Sequence, residues 1–145
     1  MPCVAVRRKE RGLREGNDME KWTHESLLEN GYKIENAQIT NVSLNMENHG
    51  CLCLDLTIEW GGCGCVYGGY CLGKGYVGAD DDFFSGSEKG LEAIMRIMDT
   101  VGQSDLSKLK GQYIRIAHKG LGSSVKIIGN IVKDKWFDYE KHFEK

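Results

Sequence analysis

The sequence predicts an α+β domain: an antiparallel sheet of about five strands with one principal helix packed on a face. Three observations lead there. Residues 51–60 alternate apolar and polar side chains with the period of a half-buried strand. The Gly61-Gly62 pair that follows suits a two-residue hairpin, whose positive φ angles glycine accepts without a Cβ clash. Residues 85–102 carry a capped, amphipathic helix pattern that closes on Gly102. At 145 residues the chain has the length of one domain, and its 41% hydrophobic and 28% charged content matches a packed globular protein.

In chain order, residues 1–18 include RRKERGLREGND, dense in charge and without a hydrophobic period. They read as a flexible charged leader to a single α+β domain over residues 19–145, with Met19 a candidate start of the functional polypeptide. Thr23 opens a short helix that Gly31 ends, with Trp22 placed to dock it. Between Tyr32 and Met46, Ile39 lies on one parity and Val42, Leu44 and Met46 on the other, which predicts a strand with a bulge near Thr40 and Asn41. Asn48-His49-Gly50 is a turn, and Leu52, Leu54, Leu56, Ile58 and Trp60 give the next strand its core face.

A third strand is expected from Cys63 to Leu72, followed by GKGYVGADDDFFSGS as an irregular, partly exposed connection carrying Phe83 and Phe84. Ser85 and Glu88 form a capping-box pattern for the main helix, whose apolar stripe is Leu91, Ile94, Met95, Met98 and Val101. Ser104–Lys110 suits one or two further helical turns. QYIRIAHK and SVKIIGNIV supply the last two strands. Trp136, Phe137, Tyr139 and Phe143 are too many rings for a free tail, so part of it should fold back.

Charge and export signals narrow the function classes. A net charge of −2 gives no global attraction to nucleic acid or anionic lipid, although the middle of the chain is acidic and the last third basic. No apolar run is long enough to span a membrane and the N-terminus lacks a signal peptide's apolar core, which predicts a cytoplasmic protein that makes no membrane contact. In a reducing compartment the six cysteines Cys3, Cys51, Cys53, Cys63, Cys65 and Cys71 are thiols.

The two CxC pairs invite a zinc reading, but a two-residue turn at Gly61-Gly62 sets Cys63, Cys65 and Cys71 opposite Trp60, Ile58 and Leu52 on the apolar face and sends Cys51 and Cys53 to the other. No metal site and no cofactor are expected. None of His24, His49, His118 and His142 forms a local pair with a cysteine, and no nucleophile, base and oxyanion donor can be assembled, so the chain is not expected to be an enzyme.

Residues 73–78 match GxGxxG, yet no helix follows at once as dinucleotide binding requires. Gly73, Gly75 and Gly78 with Arg115 or Lys119 nevertheless compose a candidate site for a nucleotide signal. Lys108, Lys110, Arg115, Lys119, Lys126, Lys133 and Lys135, with Tyr113 and Trp136 nearby, form a weaker nucleic-acid candidate. Asp80, Asp81 and Asp82 lack the spaced ligands of an EF-hand; beside Phe83, Phe84 and Tyr76 they suit an interaction edge that pairs charge with aromatic anchors.

From Tyr32 onward, ENHGCLCLDL, GGYCLGKGYVG, GLEAIMRIMDTVG, LKGQYIRI and IIGNIVKDKWFD together resemble a group of small phage and prophage proteins of Gram-positive bacteria. The resemblance implies a bias toward countering bacterial immunity, as anti-CRISPR proteins do when they bind an effector nuclease. It ranks first a non-enzymatic inhibitor acting in the bacterial host cytoplasm on a protein target such as a CRISPR effector nuclease. The contact would be made by Tyr76, Asp80, Asp81, Asp82, Phe83 and Phe84. A nucleotide-sequestering or a small nucleic-acid-binding protein is the alternative, and a homo-oligomer remains open.

Overall fold

A computed structural model describes residues 21–120 and 122–144. The leader expected over residues 1–18 lies outside the described residues, as does Cys3. The chain runs α1 (His24–Glu29), β1 (Lys33–Asn48), β2 (Cys51–Trp60), β3 (Cys63–Tyr67), β4 (Gly73–Val77), β5 (Asp82–Gly86), α2 (Glu88–Val101), a 3₁₀ turn (Leu106–Lys108), β6 (Tyr113–His118), β7 (Ile127–Asn130), β8 (Trp136–Asp138) and α3 (Tyr139–Glu144). The strands form one antiparallel sheet ordered β5-β4-β2-β1-β6-β7-β8, with β3 also paired to β2.

The α+β class stands, but the sheet has eight strands where about five were expected. Residues 63–72 do not continue as one strand. β3 stops at Tyr67, and the Gly69 amide turns to donate to Asp55 Oδ1 at 2.9 Å. The stretch expected to be irregular is the β4–β5 hairpin, paired from Gly73↔Gly86 to Val77↔Asp82. The returning tail adds β8, which pairs with β7 from Ile127↔Asp138 to Gly129↔Trp136.

The expected bulge is present: β1 shifts register on β2 between Ile39 and Asn41. An extra residue there moves the core face from odd to even positions, so Ala37 and Ile39 share a side with Val42 and Leu44. The Gly61-Gly62 turn is also as expected, with both φ angles positive and Trp60↔Cys63 and Ile58↔Cys65 opposed. Leu54, Leu56, Ile58, Ile114, Ile116 and Ile128 make the core floor, and each buried aliphatic side chain contributes about 1.5–3 kcal/mol of transfer free energy.

Helix α2 covers that floor. Its N-cap is Ser87, whose side chain accepts the Gly90 amide at 3.0 Å; Ser85 instead lies in β5. The buried stripe is Gly90, Ala93, Ile97, Thr100 and Val101. Of the expected stripe Val101 is buried and Ile94 and Met98 pack half-buried on the core, but the face is rotated enough that Leu91 (63%) and Met95 (67%) stand exposed. Small residues decide this. A Cβ on Gly90 would collide with the Leu72 carbonyl and stand 2.8 Å from Leu72 Cα. The helix approaches the chain there too closely for a larger side chain.

The tail closes the same core. Tyr67 donates to the Phe137 carbonyl at 3.0 Å and Tyr139 to the Leu54 carbonyl at 3.2 Å, which gives both buried hydroxyls a partner. Burial holds both phenols protonated, well above their usual range. A smaller cluster on the other face, Leu27, Ala117 and Ile127 with Trp22, Tyr32, Ile34 and Trp136, seats α1, and Trp22 Nε1 donates to Asp138 Oδ2 at 3.0 Å.

Gly90→Ala tests the close approach of α2. Helix propensity alone favours alanine by about 1 kcal/mol, yet the clash should lower stability by about 1–3 kcal/mol in urea unfolding. An unchanged or raised midpoint would contradict the packing of α2 on Leu72.

Candidate functional site: the β4–β5 ribbon

The six residues expected to form an interaction edge lie together on the β4–β5 hairpin. A tight turn makes its tip, where the Gly78 amide donates to the Asp81 carbonyl at 2.7 Å. Asp80, Asp81 and Asp82 are all exposed there, and none belongs to an ion pair among the described residues. Three adjacent carboxylates without an ion-pair partner among the described residues make a localised negative field.

Alternation divides the rings between two faces. Tyr76 opposes Phe83 and the two stack with centroids 5.8 Å apart at 29°. Phe84 opposes Gly75 and points the other way, its ring so close that a Cβ on Gly75 would stand 2.5 Å from Phe84 Cδ1 and 3.0 Å from Met46 Cε. Exposure is high at Tyr76 (60%), Val77 (75%) and Phe84 (67%). Val77 and Met46 belong to this apolar surface and were not anticipated. Their signal was obscured because glycines at 73, 75 and 78 erase the apolar alternation of β4.

The ribbon joins the sheet through few bonds. Cys51 pairs with Lys74, the Leu72 amide donates to the Leu52 carbonyl at 2.7 Å, and the Gly75 amide donates to the Gly50 carbonyl at 2.9 Å. Gly50, at φ 79°, permits this docking: a Cβ there would stand 2.5 Å from the Gly75 carbonyl oxygen. The hairpin therefore extends the sheet while most of its surface faces solvent.

The other candidate constellations disperse. Gly73, Gly75 and Gly78 serve the ribbon's own close contacts with Ser85, Phe84 and Asp81. Arg115 lies on β6, separated from them by β2 and β1. Its Nε donates to the Asn130 carbonyl and its Nη2 to the Lys133 carbonyl, each at 2.7 Å, with the guanidinium 4.7 Å from the centre of the Trp136 ring. Lys119 sits over Tyr32 at 4.6 Å. The structure thus does not bring the glycines and these cations into one site. In the basic third, Lys126 pairs with Glu140 at 2.5 Å and Lys135 with Asp99 at 3.2 Å, which further divides that surface.

The five described cysteines are free thiols. Cys65 packs against the core as expected, whereas Cys63 and Cys71 are exposed rather than part of the apolar face. Because β3 ends early, Cys71 reaches Cys51 instead of Leu52. Hydrogen bonding to Cys71 raises the Cys51 thiol pKa, and burial raises those of Cys53 and Cys65, the opposite of what an activated nucleophile needs. An open depression of about 430 Å³ beside Cys63, lined also by Thr57, Glu59 and Val66, contains no histidine. Among the described residues no three His, Cys, Asp or Glu side chains converge as metal ligands, and no helix is long and apolar enough to cross a membrane.

One buried histidine has a carboxylate partner. His118 Nε2 donates to Glu35, and its Nδ1 accepts the Gly120 amide at 3.1 Å. Both ring nitrogens are therefore hydrogen-bonded within the fold. The pair anchors the end of β6. Comparison with protein-family models, curated proteins and solved structures finds no match.

Two measurements check these structural assignments. Arg115→Lys keeps the charge but cannot span both carbonyls, and should cost about 1–2 kcal/mol in urea unfolding. The Asp134 carboxyl is held below its usual range, chiefly by Trp136 Nε1–H at 2.6 Å and also by the His24 amide at 2.7 Å. A lowered folded-state pKa contributes stability that is complete above the unfolded value of about 3.9 and lost as pH falls through the folded value. Thermal melts of Asp134→Asn should accordingly show a shallower loss of stability on acidification than the parent.

Proposed function

We propose that this chain is a phage-encoded, non-enzymatic binding protein that inhibits a bacterial defence component, in the manner of an anti-CRISPR protein blocking an effector nuclease in the host cytoplasm. The observation that carries the reading is the β4–β5 ribbon: three adjacent exposed carboxylates, with no ion pair among the described residues, at the tip of a hairpin flanked by exposed aromatic rings.

A nuclease that grips nucleic acid presents a channel of Lys and Arg spaced to meet phosphates. Asp80, Asp81 and Asp82 offer negative charge on a narrow, extended support that enters such a channel. The Tyr76–Phe83 stack and Phe84 then supply apolar anchors on the two sides of the ribbon. Charge governs encounter and register, while the rings slow dissociation. The resemblance to small phage proteins points to the same class of target. The raised thiol pKa values of Cys51, Cys53 and Cys65 favour binding over cysteine catalysis.

The test is affinity for a panel of purified CRISPR effector nucleases at low and high salt. Replacing Asp80, Asp81 and Asp82 together by asparagine should weaken binding to the target by about tenfold or more at low salt and flatten its salt dependence. Tyr76→Ala and Phe84→Ala should chiefly raise the dissociation rate. Affinity unchanged in the triple variant would remove the ribbon tip as the binding element, and silence across the panel would reject the nuclease target.

A further inference from the structure

Strand β5 ends the sheet, and among the described residues nothing pairs with its outer side. The phase of its backbone can be read directly. The Gly78 amide bonds to the Asp81 carbonyl across the hairpin, so facing pairs alternate from there: Tyr76 with Phe83 and Lys74 with Ser85 exchange ladder bonds. Val77, Gly75 and Gly73 therefore turn their backbone groups away from β5, and the Gly75 amide does reach Gly50 on the other side. By the same alternation Asp82, Phe84 and Gly86 direct their N–H and C=O groups outward.

Sheet edges are ordinarily protected by lysine, proline, a bulge or a covering element. Strand β5, Asp82-Phe83-Phe84-Ser85-Gly86, carries no lysine or proline and only one charge, Asp82 at its first residue; it keeps unbroken register with β4 and is exposed at every residue. We propose that this edge pairs antiparallel with β5 of a second copy of the chain, about a two-fold axis through Phe84.

Self-complementarity selects this occupant. With Phe84 on the axis, its N–H and C=O meet those of the partner's Phe84, and the two rings lie side by side on one face. Asp82 falls opposite the partner's Gly86, and the two acidic tips point to opposite ends of the joint ribbon. Parallel pairing in register would instead set Asp82 against its own copy, a like-charge contact. Five residues make an edge shorter than the ~1,600 Å² of a standard interface requires, so the association is reversible and depends on concentration. The aspartate tips and the Tyr76–Phe83 face remain open in the dimer, whereas the Phe84 ring that the proposed target contact also uses is engaged by the partner; because self-association is measured without any target, the two readings fail separately.

The phase provides the test. Proline at 84 removes an outward N–H without deleting a β4–β5 ladder bond. Sedimentation equilibrium of the full chain over a concentration series should show the mass rising from 16.3 kDa toward twice that value. Phe84→Pro should weaken dimerisation by about tenfold or more while circular dichroism stays native. Should that variant not fold, the parent answers alone: amide exchange at Asp82, Phe84 and Gly86 should slow as concentration rises, with Phe83 and Ser85 unaffected. A parent that stays monomeric throughout, association indifferent to Phe84→Pro in a folded protein, or outward amides indifferent to concentration overturns the proposal; the first would leave the edge to a strand of another protein.

Discussion

Strand β1 holds the molecule together by pairing on different edges along its length, with the bulge at Ile39–Asn41 lying where one pairing gives way to the other. Lys33–Gln38 pairs with β6, while Gln38–Asn48 pairs with β2. At the crossover, the Ile39 amide donates to the Gln112 carbonyl at 2.9 Å and the Gly111 amide to the Ile39 carbonyl at 2.7 Å, so the backbone stays satisfied where the strand bends. One half of the sheet, β6-β7-β8, is thereby tied to the other, β5-β4-β2 with β3.

That division explains why the charged features are segregated. Arg115 and Lys126 belong to the half closed by the returning tail, where Arg115 bonds carbonyls and the Trp136 ring and Lys126 bonds Glu140. The acidic tip belongs to the other half and is far along the sheet order from them. Lys135 meets Asp99 of the acidic middle, but the three aspartates of the ribbon tip form no ion pair with the basic end among the described residues. Tyr139 binds the two halves through the core, since it lies in the tail and its hydroxyl reaches the Leu54 carbonyl of β2.

The ribbon itself depends on absent side chains. Gly50 admits the backbone of β4, Gly75 admits the ring of Phe84, and Gly90 admits the chain at Leu72 just before the ribbon begins. Each is a contact in which a methyl group would displace a neighbour. What these contacts produce is a hairpin attached at its base and exposed elsewhere, with aromatic surface on both sides. An exposed apolar surface of this kind is costly to keep in water without a partner.

The sequence by itself determined the elements whose periodicity is local: the bulge in β1, the alternation of β2, the Gly61-Gly62 turn, the presence of α2 and the return of the tail. It also placed Asp80, Asp81, Asp82, Tyr76, Phe83 and Phe84 near one another, because they are close along the chain. Tertiary structure decided the rest. Strands β4 and β5 have no apolar period, so only pairing along the sheet makes them strands. The rotation of α2 was set by the close approach at Gly90 rather than by the size of Leu91 and Met95. Arg115 was drawn from a candidate ligand site into a carbonyl clamp by β7 and β8, which are distant in sequence from the glycines once grouped with it. Local patterns record what a segment does alone, whereas close contacts and strand order are properties of pairs of segments that no single window contains.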